Sequence, residues 1–277
     1  MALRNILFEN IAFCVDDRTN VFFNDGNGNS VGPFWDLFEN GQWEYDALVR
    51  FLRLISRPGI VIDIGAWIGP YAMLSLANGH GVACFEPDPE ARMLLNMNMQ
   101  ASGQENFIVS DKAIAPQAGT TKLFSNQFGD SESSVARRRI RNGRELFAEQ
   151  SIEVSAIDLN EAASHLGSDP ISTVKMDVEG SEYALLEQVF EFISNRKCNL
   201  LMQFHPDNSV GVDLSDISVF SKIFRSHIAK KSPTTTIKWG GVWRNLSEFD
   251  AIPDERTTVN NLEFIVIDQI PGELSSR

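Results

Sequence analysis

Val61-Ile-Asp63-Ile-Gly65-Ala66-Trp67-Ile68-Gly69 carries an apolar strand into an acid and a glycine turn, and Pro70 opens a helical pattern directly behind it. This is the nucleotide corner of an α/β sheet. A dinucleotide fingerprint needs glycine in the middle of such a turn, because the backbone must approach a pyrophosphate closely. Trp67 stands there instead, which disfavours a pyrophosphate ligand. Gly65 lets the turn pass without a Cβ, and Asp63 ends the strand with a carboxylate.

Outward from this corner, Val82-Ala-Cys84-Phe85-Glu86 is a second apolar run ending in an acid, and Pro87-Asp88-Pro89 stops it and opens a helix over 89–102. Glu86 sits where a ribose diol would be gripped by two hydrogen bonds. Asp88 serves the helix terminus, so Glu86 is not needed for that purpose. A glutamate here also opposes a 2′-phosphorylated nucleotide. S-adenosylmethionine has no phosphate, and its ammonium suits an acid at position 63. It is the cofactor expected, with Asp63, Gly65, Ala66, Trp67, Gly69 and Glu86 around it. At the tip of a third strand, Ser110-Asp111-Lys112 offers Asp111 to the adenine amine; a solvated turn acid is the equal alternative.

Alternating patterns continue: strands at 60–64, 81–85, 107–110, 173–177 and 200–205, with helices at 70–78, 89–102 and 182–194, and a last strand at 262–267. Such alternation implies parallel strands with crossover helices. Residues 1–58 form an N-terminal cap region with a hairpin turn at Asn24–Ser30 and a helix over 44–55; residues 59–277 form the α/β domain. The segment 125–150 is a long polar excursion with four arginines, Arg137, Arg138, Arg139 and Arg141, and reads as a mobile acceptor-side loop. Those arginines suggest an anionic acceptor group, against the competing reading of a solvated helix face.

The 277 residues carry 24 basic and 37 acidic side chains, a net charge of −13, which repels a nucleic-acid partner. Three cysteines without a CxxC spacing suggest neither disulfides nor zinc, and fit a reducing cytoplasm. No secretory signal and no membrane-spanning run is read from the sequence.

Val174-Lys175-Met176-Asp177-Val178-Glu179-Gly180-Ser181-Glu182 delivers Asp177 and Glu179 to the carboxyl end of a strand, where ligands of open α/β sheets sit. His205 ends the neighbouring strand. With its intrinsic pKa it is the expected general base, with Asp177 or Glu179 orienting it or holding the acceptor; a strand-end histidine of structural role is the alternative. Glu182 reads as an N-terminal helix charge. Asp177 and Glu179 also admit a divalent ion such as Mg2+, although no metal site is assigned.

With DIGAWIGPYA at 63–72, FEPDPEA at 85–91, GDSESS at 129–134 and KMDVEGSE at 175–182 in place, the chain resembles the FkbM-type family of class I S-adenosylmethionine-dependent methyltransferases over residues 40–205. The resemblance implies a Rossmann-like α/β fold, a seven-stranded, mostly parallel sheet with an antiparallel final strand and helices on both faces. It also implies methyl transfer to oxygen, often on a sugar, a glycan or a natural product, and places Glu44 near the cofactor's methionine end. Two positions depart from the pattern, Trp67 and Gln203; the second weakens any role of position 203 as base or ligand. The alternatives are an NAD-dependent oxidoreductase, opposed by Trp67 and by the lack of a Tyr-x-x-x-Lys pair, and a non-catalytic binding subunit.

Overall fold

The computed structural model describes residues 2–24, 30–131, 133–135, 138–141, 144–148, 150–205, 235–245 and 262–268. Two antiparallel hairpins open the chain: β1 (Leu3–Phe8) with β2 (Ile11–Asp16), and β3 (Phe22–Asn24) with β4 (Ser30–Pro33). The second is the expected hairpin, its tip lying outside the described residues. Helices α1 (Phe34–Glu39) and α2 (Tyr45–Leu54) follow, then β5 (Ile60–Ile64), α3 (Pro70–Ala77), β6 (Gly81–Phe85), α4 (Pro89–Ala101) and β7 (Phe107–Ser110). Next come β8 (Ala113–Ile114), β9 (Gly119–Ser125), β10 (Arg138–Arg141), β11 (Arg144–Phe147), β12 (Gln150–Ile157) and α5 (Leu159–Ser164). The chain returns through β13 (Ile171–Met176), α6 (Glu182–Arg196), β14 (Asn199–Gln203), β15 (Thr235–Trp239), β16 (Val242–Asn245) and β17 (Leu262–Ile267).

Among the described residues the main sheet has the order β7-β6-β5-β13-β14-β17-β15-β16. β7, β6, β5, β13 and β14 run parallel, and β17 lies antiparallel between β14 and β15. These strands are the expected seven-stranded sheet. An eighth, β16, extends the edge because Gly240 and Gly241, at φ 54° and 79°, supply the two left-handed residues of a tight hairpin turn from Trp239 to Val242.

Strand side chains alternate between two cores. Ile62, Ile64, Ala83, Phe85, Val174 and Met176 face α5 and α6, whereas Val61, Val82, Cys84 and Leu201 face α2, α3 and α4. The N-terminal hairpins and α1 enter this second core through Ile6, Phe13, Val15, Phe34, Trp35 and Phe38.

The segment 125–150, expected as a loop, contains strand structure among its described residues. β9 and β12 pair over Gln150–Ala156 in a small sheet with β8, and β10 pairs with β11 in a hairpin. Arg138, Arg139 and Arg141 lie on β10, a strand and not a helix face; Arg137 and the tip lie outside the described residues. Cys14, Cys84 and Cys198 are free, and no helix among the described residues is long and apolar enough to cross a membrane.

Candidate active site

The glycine turn between β5 and α3 packs directly on the end of β13. A Cβ on Gly65 would lie 1.7 Å from the Asp177 carbonyl oxygen, and the Asp177 N–H donates to the Ile64 carbonyl at 3.0 Å. Gly65, at φ 71°, is therefore required by this backbone contact, a reason beyond the ligand approach anticipated from sequence. Gly69 sits at φ 96° before Pro70, and a Cβ there would meet Leu95 at 2.7 Å. The Ala66 side chain is buried in the second core.

Asp63 is fully buried, and its neighbour is Lys175 on the adjoining strand β13, whose Nζ lies 3.3 Å from Oδ1. The Asp63 side chain, expected from sequence to approach a ligand ammonium, has the Lys175 ammonium as its neighbour. The same Nζ donates to the Gly65 carbonyl at 2.8 Å, lies 3.7 Å from Asp177 Oδ2 and stands over the Tyr71 ring at 5.0 Å. Burial works against the lysine charge, yet Asp63, Asp177 and Glu44 together hold its pKa above the ordinary value. Asp63 thus acts on the turn through Lys175.

At the end of β6 the Glu86 carboxylate accepts from the backbone N–H of Trp67 at 2.8 Å and of Asp88 at 2.9 Å. Burial nevertheless pushes its pKa up to about 7. Asp88 caps α4 as expected, its Oδ1 accepting from the N–H groups of Glu90 and Ala91. Its Oδ2 accepts from Gly129 N–H at 2.9 Å and Ser133 Oγ at 2.6 Å, which anchors the segment previously read as loose. Asp111 lines a cavity of about 480 Å³ at the tip of β7, together with Phe85, Arg92, Asn96, Lys112 and His165.

Asp177 and Glu179 follow β13, and His205 follows β14. The His205 Nε2 lies 3.4 Å from Asp177 Oδ1 and 3.4 Å from Glu179 Oε1. The structure therefore brings together the three residues expected to carry chemistry. Glu179 adopts a left-handed φ of 53°, Trp67 one of 48° and Glu44 one of 41°. Non-glycine residues held this way mark sites whose surroundings over-determine the backbone.

Glu182 has a role that sequence reasoning missed. It is fully buried; Oε2 accepts from the Gly180 N–H at 2.9 Å, while Oε1 lies 2.8 Å from His205 Nδ1. Burial lowers the His205 pKa, but Glu179, Glu182 and Asp177 outweigh it and hold the value well above 6.5. That direction favours the protonated imidazole and weighs against His205 as the general base expected from sequence.

Glu44 caps α2 by position, but its side chain makes no cap hydrogen bond. It accepts instead from the Tyr71 hydroxyl at 2.9 Å and from Gln203 Nε2 at 2.9 Å. Gln203 is thus a donor that holds a carboxylate, in keeping with the weakened case for position 203 as a base.

A family model described as Methyltransferase FkbM domain matches residues 63–220. Among solved structures, the chain is similar to a methyltransferase FkbM from Methylobacillus flagellatus KT, at 16% identity and TM-score 0.43, over 76% of this chain and 43% of that one. This chain thus spans less than half the length of that protein. It is also similar to M. jannaschii TYW2 in complex with AdoMet, at 12% identity and TM-score 0.41, over 96% and 84% of the two chains. A putative O-methyltransferase from Klebsiella pneumoniae shows 8% identity and TM-score 0.41, over 81% and 79%. No curated protein matches the chain.

Proposed function

The chain belongs to the FkbM methyltransferase family, and on that premise we propose that it moves the methyl group of S-adenosylmethionine onto a hydroxyl oxygen of a sugar, a glycan or a small natural product. The observation that carries this reading is the convergence of Asp177, Glu179 and His205 beside the glycine turn. Glu86 takes the ribose diol, the cavity holding Asp111 takes the adenine, and Glu44 faces the methionine end.

Bound S-adenosylmethionine would supply a methyl group from a cationic sulphur that keeps the electron pair of the broken carbon–sulphur bond, and Asp177 would accept the proton that the acceptor hydroxyl gives up. Its carboxylate stands at the end of β13, with Oδ1 3.4 Å from His205 Nε2 and Oδ2 3.7 Å from Lys175 Nζ. His205, held by Glu182, keeps its proton and offsets the two acids in front of it. Glu179 orients the acceptor.

A methyl-labelled cofactor incubated with sugar nucleotides, oligosaccharides and hydroxylated natural products should yield an O-methyl product, and calorimetry should show binding of S-adenosylmethionine but not of NAD. Label on nitrogen or carbon would remove the hydroxyl acceptor; heat from NAD alone would revive the oxidoreductase reading. Asp177→Asn should lower turnover by about 10²–10⁴-fold with little change in cofactor affinity. His205→Gln should do less, because the histidine does not take the proton.

A second reading rests on one distance: ligand atoms of Asp177, Glu179 and His205 all lie within 4.8 Å of one another. That spacing suits a divalent ion, although a nitrogen donor fits Mg2+ less well than an all-oxygen set. Loss of rate in EDTA, restored by magnesium, would move the three residues from proton transfer to coordination. An unchanged rate retires the metal.

A further inference from the structure

Four residues at the cofactor corner close a ring of hydrogen bonds. The Trp67 N–H donates to Glu86 Oε2, and the Trp67 indole Nε1–H donates to the Gly129 carbonyl at 3.1 Å. The Gly129 N–H donates to Asp88 Oδ2, and the Asp88 N–H returns to Glu86 Oε1. Both carboxylate oxygens of Glu86 are thereby tied to Gly129, by way of two different residues. From Gly129 the chain rises through Ser133, which donates to Asp88, to Ser134, whose Oγ donates to the Glu179 carbonyl at 2.6 Å. The arch so anchored joins the end of β6 to the turn that follows β13.

Trp67 enters this ring through both its backbone and its side chain. Its left-handed backbone favours glycine, yet a tryptophan stands there with its ring 4.6 Å from Phe34 and 6.1 Å from Phe23. One residue therefore aims its backbone N–H at Glu86 and its side-chain N–H at the arch. Glycine would supply the first contact alone.

We propose that Trp67 is a positioning residue for methyl transfer: through the ring and the arch it holds the ribose-side acid Glu86 and the acceptor-side residue Glu179 in one arrangement, so that filling the cofactor corner also sets the acceptor side. The inference rests on the function proposed above, in which Glu86 grips the ribose.

Hydrogen exchange and calorimetry on the full chain, with S-adenosylmethionine as the probe, test it. In the wild type the cofactor should protect peptides covering 127–135 and 177–182, besides those covering 61–69 and 84–90. Trp67→Phe keeps the aromatic packing and removes the indole donor. The variant should bind about three- to tenfold more weakly, the loss of one hydrogen bond. It should also lose cofactor-induced protection at 127–135 and 177–182, keep it at 84–90, and melt without ligand within about 3 °C of the wild type. Ser134→Ala should keep protection at 127–131 and lose it at 177–182. A Trp67→Phe protein whose protection pattern matches the wild type overturns the proposal, whatever its melting temperature. A wild type that binds the cofactor yet gains protection only at 61–69 and 84–90 overturns it while leaving the proposed function intact. Absence of binding in the wild type sinks both.

Discussion

Two backbone N–H groups favour the charge on Glu86, yet burial outweighs them and pushes its pKa from 4.5 to about 7. The native state thus favours the protonated acid. Its contribution to stability is complete below about pH 4.5 and is lost as the pH rises through about 7, a swing of roughly 3 kcal/mol. Urea unfolding at pH 5 and pH 8 should show Glu86→Gln gaining on the wild type at the higher pH; parallel curves would refute the linkage. Ribose hydroxyls donate to the ionised form, so wild-type affinity for S-adenosylmethionine should tighten between pH 6 and pH 8, and that of Glu86→Gln should stay flat. Lys175 presents the opposite case, a buried cation serving buried acids. Removing it in Lys175→Met strands the Asp63 carboxylate and should cost about 3–5 kcal/mol by chemical denaturation. Adding Asp63→Asn should recover most of that loss, and equal instability of the single and double variants would count against the pair.

The contact between the β5 turn and the end of β13 makes a sharper demand on sequence than either element does alone. Gly65→Ala sets a methyl group against backbone and should cost at least about 3 kcal/mol, whereas Gly69→Ala meets only the end of Leu95 and should cost about 1–2 kcal/mol. Denaturant midpoints that rank the two in reverse would contradict the packing described. β5, β6, β7, β13, β14 and β17 of the main sheet were legible as apolar runs, whereas β15 (Thr235–Trp239) and β16 (Val242–Asn245) were not, since their sequences TTIKW and VWRN mix polar and apolar residues. β9 was not, since only Leu123 and Ser125 of its seven residues are buried. Nor was the Arg-rich hairpin, whose sequence offers no apolar period. Asp177, Glu179 and Glu86 were readable from the strand ends that carry them. Glu182 was hidden, because an acid in the first turn of a helix already explains itself by the helix dipole. The Glu44–Gln203 pair spans 159 residues, a separation that no local pattern announces.

Within the apolar contact between the N-terminal hairpins and the α/β sheet, one amide forms a polar link. Asn98, fully buried on α4, accepts from the Asp16 N–H at 3.1 Å and from Thr19 Oγ1 at 2.7 Å through its oxygen. Its Nδ2 donates to the Ile68 carbonyl inside the glycine turn at 2.8 Å. Thr19 Oγ1 in turn accepts from the indole N–H of Trp35, itself fully buried among Phe13, Phe34 and Phe38. The turn that shapes the cofactor corner is thus held from behind by the segment preceding the sheet. Asn98→Ala removes the partner of the Asp16 N–H and of the Ile68 carbonyl, while Thr19 Oγ1 keeps the Asp16 carbonyl at 2.7 Å, and each unmade hydrogen bond costs about 1–3 kcal/mol. The variant should therefore lose at least about 2 kcal/mol and bind S-adenosylmethionine more weakly, although Asn98 touches no proposed ligand atom. Because Trp35 and Phe38 share one core with Val61, Tyr71 and Val82, tryptophan fluorescence and far-ultraviolet circular dichroism should report a single coincident unfolding transition. Two separated transitions, or an Asn98→Ala protein of lowered stability but unchanged cofactor affinity, would show that the N-terminal segment folds apart from the turn it abuts.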